Sequence, residues 1–331
     1  MTGLPSLGLI SHGTSSALGQ SLIEALAEAV TDDLRARGLV DEVMLGHVDV
    51  QDPGVDEVID RLPADRPAVL VPLLLSPGYH VHVDLAEALE GAGDRDIRLA
   101  STLGPDPRLA RILAERLPRL RDDDEVVLAA AGSSDERANA SCEEMGRLLA
   151  DELGRAVSVG FLAGGGAPLK AIVEQNRQSG CRLVIANYLL APGFFDDLAR
   201  TLISEADSSA ESASGSSLAS PGSAVESALG SARDVGSDAE QGTVLASPLL
   251  APGTDPVGPS VAHSAGPSVA DLAAGSVADP TANRDENPAE NPTGSPAAEP
   301  SAPTPAPRGT RAHAVPAELV DIVRDRLLEA L

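Results

Sequence analysis

The chain repeats itself. An apolar run, Leu7–Ile10, followed by Gly13-Thr14-Ser15, recurs as Val126–Ala131 followed by Gly132-Ser133-Ser134. AVLVPLLL (Ala68–Leu75), followed by Ser76-Pro77-Gly78-Tyr79-His80, recurs as LVIANYLL (Leu183–Leu190), followed by Ala191-Pro192-Gly193-Phe194-Phe195. Ser21–Arg35 has a counterpart in Cys142–Leu153. Thr102–Pro107 with Arg108–Leu120 has one in Ser247–Pro256 with Val315–Leu331. Continuous apolar runs such as AVLVPLLL are expected of parallel strands covered on both faces. Strands at Leu7–Ile10, Glu42–Asp49, Ala68–Leu75 and Ile97–Leu103 alternate with helical patterns at Ser21–Arg35, Gly54–Leu62, Val83–Leu89 and Arg108–Leu120. Such alternation implies an α/β fold with a doubly wound parallel sheet. The expectation is two similar α/β halves, residues 1–121 and 122–331, facing across a cleft.

The second half is interrupted. From about residue 207 the chain is mostly Ala, Ser, Gly and Pro with scattered acids, as in NPAENPTGSPAAEPSAPTPAP. Such text cannot bury enough apolar area to offset its conformational entropy, so disorder is expected over about 207–242 and 257–312. Between these stretches TVLASPLLAP (Thr243–Pro252) reads as a short buried strand and its exit. Beyond them Leu319, Ile322, Val323, Arg326, Leu327 and Leu331 fall at helical spacing after Pro316. The tract is thus an insertion within the second half, which loop-closure entropy tolerates because its cost grows slowly with length.

Composition narrows the function. The 50 acidic against 24 basic residues, a net charge of -26, argue against nucleic acid and anionic membranes as partners. Cys142 and Cys181 make no disulfide framework and no CxxC, which points to a reducing cytoplasm. Met1–Ile10 lacks a basic leader, and no apolar run is long enough to span a bilayer. Neither GxGxxG, GxxxxGK[ST] nor GxSxG occurs, which removes support for a dinucleotide site, a P-loop or a serine hydrolase.

Six histidines remain as candidates for chemistry. His263 and His313 lie in low-complexity text, and His47 sits among apolar residues of a strand, where a core or edge histidine is the better reading. His12 follows the first strand and His80, with His82 close by, the third. Strand carboxyl ends of an open parallel sheet face one crevice, so His12 and His80 either converge on one ligand or are unrelated loop residues. Gly13, Thr14, Ser15 and Ser16 form a strand-to-helix turn that either offers N–H groups and hydroxyls to an anion or simply caps the helix. Gly164-Gly165-Gly166 reads as a turn.

LISHGTSS followed by VPLLLSPGYHVHVDL resembles the class II chelatases, which insert a divalent metal into sirohydrochlorin. VDVQDP (Val48–Pro53) resembles that family's acidic segment after its second strand, and LGPDPRLARIL its segment before the last helix. The resemblance covers Leu4–Leu120 and, weakly, Val126–Leu331. It implies that His12 and His80 handle the metal and accept protons. Asp49 stands where members often carry glutamate and would assist catalysis. Substrate contacts would come from Gly13, Thr14, Ser15, Ser76, Gly78, Tyr79, Ser133 and Ser134. Ala131 and Phe195 replace the two histidines in the second half, which would then serve as the facing wall of the cleft in a fused, monomeric version of an assembly that other members make by dimerising. No organic cofactor is implied. The metal, Co²⁺ or Fe²⁺, is a substrate, and the product would be cobalt-sirohydrochlorin on the route to cobalamin, or sirohaem. Neutral imidazole suits such ions and titrates near neutral pH, whereas a closed Cys₄ site would not release them. Asp52 reads as a cap before Pro53 rather than a proton relay. A nickel chelatase of the same class and a non-catalytic tetrapyrrole or metal carrier are the alternatives.

Overall fold

The computed structural model describes residues 3–78, 83–214, 242–251 and 315–331. The first half comprises β1 (Ser6–Ser11), α1 (Ala17–Ala36), β2 (Val43–His47), α2 (Val55–Arg61), β3 (Ala68–Pro72), α3 (Asp84–Gly91), β4 (Ile97–Leu99) and α4 (Pro107–Arg116). The second comprises β5 (Glu125–Ala130), α5 (Glu136–Leu153), β6 (Val157–Phe161), α6 (Leu169–Ser179), β7 (Leu183–Tyr188), α7 (Phe194–Ser214) and β8 (Thr243–Leu245), and the last described helix is α8 (Ala317–Ala330). Each half builds a parallel sheet, in the orders β2-β1-β3-β4 and β6-β5-β7-β8. The two doubly wound sheets expected from the repeat are present.

Local chemistry sets the elements. Leu22, Ile23, Leu26, Val30 and Leu34 give α1 one buried stripe, and Ser16 caps it by accepting the Gly19 N–H at 3.2 Å. The capping reading of that turn is therefore realised. Helix α5 starts on Asp135, which accepts the Arg137 N–H, and stops at Gly154 in the left-handed region. AVLVPLLL is shorter as a strand than its apolarity suggests. It leaves the ladder after Pro72, and the Leu74 carbonyl then accepts the Leu103 N–H. The structure adds β6, α6 and α7 to the expected elements. β6 holds only five residues, VSVGF, a weak period-two signal. Helix α7 runs on to Ser214, past the composition change at 207, and the rest of the expected disordered stretches lies outside the described residues.

Three apolar layers hold the halves. Ile10, Leu70, Val58 and Leu85 pack α2 and α3 on the outer face of the first sheet. Val127, Ile185, Leu169 and Ile203 do the same for α6 and α7 on the second. The third layer is shared: Leu7, Leu9 and Val71 of one sheet and Leu128, Ala186 and Tyr188 of the other join Leu26, Leu109, Met145 and Leu327 in one continuous core. Within this layer the halves exchange helices. Helix α4 packs against α5 and β7 of the second half, while α8 packs against α1, α4 and β3 of the first. The repeat assigned α8 to the second half, which it follows in sequence. In space it completes the first.

Polar contacts fix that exchange. Arg326 donates to the carbonyls of Thr102 at 2.8 Å and Leu103 at 3.3 Å, and pairs with Asp106 at 3.3 Å. Arg108 reaches Asp325 at 2.6 Å, Arg324 reaches Asp33 at 3.0 Å, and Arg116 of α4 donates to Leu249 of the second half at 2.7 Å. Burial alone would raise the Asp106 carboxyl, but hydrogen bonds from Arg108 and the charges of Arg108 and Arg326 outweigh it and hold it below the usual range. Arg326 looked in the sequence like one more position of an apolar stripe, yet its guanidinium is the anchor of the helix. Without Arg326, Asp106 keeps Arg108, but the carbonyls of Thr102 and Leu103 lose their donor, at roughly 2 kcal/mol. Arg326→Leu should lose about that much stability in urea unfolding, and Arg326→Lys should recover only part, since an ammonium lacks the planar fork. A loss below about 1 kcal/mol for Arg326→Leu would contradict this account.

Candidate functional site

The order β2-β1-β3-β4 reverses direction between β1 and β3, and the crevice at such a reversal is where open α/β sheets take ligands. His12 extends β1 and is exposed; Ser76 lies beyond β3. The ladder continues past the strand ends: Val48 donates its N–H to Ser11 at 2.9 Å, and Asp49 to the His12 carbonyl at 3.0 Å. His12 and Asp49 are thereby backbone neighbours on the rim. Gly13 then turns at φ +91°, and a Cβ there would stand 1.9 Å from the Asp49 carbonyl. Only glycine fits. The repeat reproduces this closely, with Gly132 at φ +86° and 1.8 Å from the Ala163 carbonyl.

Beneath the rim, Ser11 Oγ and His47 Nδ1 are 2.7 Å apart, both side chains being buried. Ser11 Oγ also accepts the Gly13 N–H at 3.3 Å. His47 is thus the core histidine the sequence implied, and it braces the turn that carries His12. Burial lowers its pKa below the ordinary value, a shift partly opposed by the Asp52 charge. Asp52 does not cap α2. The cap position is Gly54, with no side-chain hydrogen bond, because the Asp52–Pro53 turn sets Asp52 ahead of the helix start.

The turn's N–H groups, read as possible anion donors, are largely engaged within the chain. Thr14 donates to Gln51 Oε1 at 2.9 Å, Ser16 to Thr14 Oγ1 at 3.2 Å, and Gln20 Nε2 to the Thr14 carbonyl at 2.8 Å. In the second half Asn139 does both jobs, accepting the Ser133 N–H at 3.0 Å and donating to the Ser133 carbonyl at 2.8 Å. Gln20, Gln51 and Asn139 escaped the sequence reading. The one available signal was that Gln20 and Asn139 occupy equivalent places in the repeat.

Each turn faces the opposite half. A Cβ on Gly193 would stand 2.9 Å from Thr14 Oγ1, and one on Gly78 would stand 3.7 Å from Ser133 Oγ. The structure therefore groups His12 with Asp49, Thr14 with Gly193, and Gly78 with Ser133. Tyr79, His80 and His82 lie outside the described residues. At the matching rim of the second half stand Ala131, Ala163 and a half-buried Phe195, whose ring meets exposed Phe194 edge-on at 5.3 Å. Asp49 Oδ1 accepts the N–H of Val50 at 2.7 Å, and Val50 is held at φ +69° and is 58% exposed. A β-branched residue in that region is strained, and the repeat has Gly164 at φ +57° in its place. Among the described residues no group of three or more His, Cys, Asp or Glu side chains is placed to hold a metal, and no helix is long and apolar enough to cross a membrane.

Paired parallel sheets sharing a helical layer define a chelatase-like fold. The sirohydrochlorin chelatase of Bacillus subtilis subspecies spizizenii, solved in complex with cobalt, superimposes with a TM-score of 0.53 at 15% identity, covering 74% of this chain and 87% of that one. A multi-domain Deinococcus radiodurans protein with structural similarity to chelatases matches with a TM-score of 0.52 at 21% identity, covering 74% of this chain and 51% of its own. Residues 6–120 match the CbiX family. The sirohydrochlorin cobaltochelatase of Sulfurisphaera tokodaii is 31% identical over 83 residues, 24% of this chain and 69% of that protein. The chain belongs to the CbiX family.

Two outcomes follow from the rim. Asparagine tolerates the left-handed region, so Val50→Asn should raise stability by about 1 kcal/mol in thermal or urea unfolding. A destabilised Val50→Asn would show that the valine side chain is held there by packing. For His47 the folded state favours the neutral ring, so its contribution is complete above about pH 6.5 and is lost as pH falls towards the lowered folded value. Wild-type stability should therefore drop between pH 7 and 5 more steeply than that of His47→Gln. Equal slopes would remove His47 as the cause.

Proposed function

We propose that this chain is a sirohydrochlorin chelatase, acting as a monomer in the cytoplasm without an organic cofactor and taking Co²⁺ or Fe²⁺ as the metal substrate. The observation that carries the reading is the kinship with the Sulfurisphaera tokodaii cobaltochelatase, in a chain whose first strand ends on an exposed histidine beside an acidic rim residue. The reaction exchanges two pyrrole protons for one M²⁺, so it calls for a group that binds the ion weakly, helps strip its water and then takes a proton. Neutral imidazole meets each demand near pH 7. His12 is assigned the metal-ligand and proton-acceptor role, with His80 as its partner. Asp49, joined to His12 through the backbone, lies close enough on the rim to draw the cation in and to pass protons to solvent.

The second half fits the role of a wall. Ala131, Ala163 and Gly164–Gly166 bring no ligand atoms to its rim, and Phe194 presents an apolar ring that suits the face of a macrocycle. Contacts with the substrate's carboxylates are assigned to the hydroxyls of Thr14, Ser15, Ser76, Ser133 and Ser134, with Gly13, Gly78 and Tyr79 shaping the pocket.

An anaerobic assay with sirohydrochlorin and Co²⁺, Fe²⁺ or Ni²⁺, followed by absorbance, tests the activity and ranks the metals. His12→Ala and His80→Ala should each slow insertion by about 100-fold or more, with the double variant little worse. The wild-type rate should fall below about pH 6, as imidazolium neither binds metal nor accepts a proton. A double variant that inserted metal at near-normal rate would remove this mechanism.

A further inference from the structure

Six large apolar residues are exposed among the described residues, and three of them border one threonine. Thr14 donates its N–H to Gln51 Oε1 at 2.9 Å, and Gln51 follows Val50. A Cβ on Gly193, which precedes Phe194, would stand 2.9 Å from Thr14 Oγ1. One on Gly19, which follows Leu18, would stand 3.0 Å from Thr14 Cγ2 and 2.4 Å from the Pro192 carbonyl. Val50, Phe194 and Leu18 are exposed to 58%, 47% and 41%. They flank a junction that both halves share, close along the chain to His12. Single exposed apolar side chains are ordinary on a protein surface, but a cluster of them at a ligand crevice marks a place where something apolar sits.

Val50 carries the stronger signal. Gln51 returns its N–H to the Asp49 carbonyl at 2.8 Å, so Val50 is the centre of a three-residue turn at φ +69°. Such a turn is rare and strained, the more so for a β-branched residue. Packing within the protein does not offset the strain, because more than half of the residue faces solvent. The repeat shows the relaxed alternative, with Gly164 at the matching place and φ +57°. Helix starts at Ser16 and Asp135 match Leu18 to Arg137, whose guanidinium pairs with Asp135 at 2.8 Å. Phe194 matches Tyr79, which lies outside the described residues. At both positions that can be compared, the apolar side chain stands on the rim that carries His12. A strained residue kept without an internal partner points to something that reaches it from outside.

We propose that Val50, Leu18 and Phe194 bind the tetrapyrrole, taking an apolar face of the metal-free macrocycle at the Thr14 junction beside His12. The proposal rests on the chelatase reading and deepens it, adding to the Phe194 ring two aliphatic side chains from the half that carries His12. Aliphatic and aromatic groups suit the face of a conjugated ring whose charges lie on peripheral carboxylates. The strain at Val50 is then the cost of holding an apolar side chain out where the ring arrives.

The test measures binding of metal-free sirohydrochlorin by absorbance, with no metal added, to Val50→Gly, Leu18→Ala and Phe194→Ala. Leu4→Ala serves as the control, an exposed residue just before β1, at the opposite end of that strand from His12. Each of the three variants should bind about 5- to 10-fold more weakly, the effect of losing one aliphatic or aromatic contact, and KM should rise in proportion. The control should match wild type within about twofold. The loss should persist at about 1 M salt, where effects on charge are screened. Val50→Gly adopts the repeat's own residue and should unfold no earlier in urea than wild type; if it does unfold earlier, Leu18→Ala and Phe194→Ala decide. Wild-type affinity in the folded variants overturns the proposal, and so does a loss confined to low salt. A wild type that dimerises in light scattering while the variants stay monomeric also overturns it, because the patch would then hold a second copy of the chain. A wild type that binds sirohydrochlorin but inserts no metal overturns the chelatase reading, and the binding series still decides the patch. A wild type that binds no sirohydrochlorin overturns both.

Discussion

One apolar layer, shared between two sheets, is the constraint on which everything else rests. Neither sheet closes its inner face alone: Leu7, Leu9 and Val71 on one side and Leu128, Ala186 and Tyr188 on the other meet helices drawn from both halves. With 2% aromatic residues and no Trp, this layer is built mostly of Leu, Val, Ile and Ala, whose apolar contacts are only weakly directional. Direction comes from the polar anchors of the exchanged helices. Arg326 on Asp106 and two carbonyls, and Arg116 on Leu249, tie each helix to the half it does not follow in sequence.

That exchange is also what sets the rim. Because α4 and α8 cross over, the turn after β1 stands against the loop after β7, and the turn after β5 against the loop after β3. The same architecture appears twice, but the two copies have diverged in what they ask of the backbone. The first half keeps a valine strained at position 50 beside Asp49, and braces the His12 turn with buried His47 and Ser11. The second has relaxed the equivalent place to Gly164 and carries Phe161 where His47 stands. At this turn the strained residue and the buried Ser11–His47 pair, both costly, persist on the side that carries His12.

Much of this was legible in the sequence, for identifiable reasons. Duplicate apolar runs ending in glycine exposed the two sheets and the equivalence of Gly13 with Gly132, since period and turn chemistry are local properties. His12 stood out because a histidine directly after a strand has no packing role there. What stayed hidden depends on partners remote in sequence. The periodicity of α8 shows that it buries one face but not against which sheet, and the choice lies in Arg326, which reads as one more position of that stripe. Tyr188 reads as one more core aromatic until its hydroxyl is seen on the Leu75 carbonyl. Gln51 and Gln20 are ordinary loop and helix residues until both are found on the Thr14 peptide. β6 was missed because five residues containing Ser and Gly hardly rise above turn composition.

The placement of α8 bears on the order in which the protein can form during synthesis. The first half emerges from the ribosome complete in its sheet but without the helix that lies on β3 and α1. Until residues 317–330 follow, Leu9, Val71 and Leu26 face water or whatever else is at hand, because their partners Leu319, Val323 and Leu327 do not yet exist. The half that carries His12 is made first and sealed last. It is therefore the half with most need of a chaperone's attention while the remaining chain is translated.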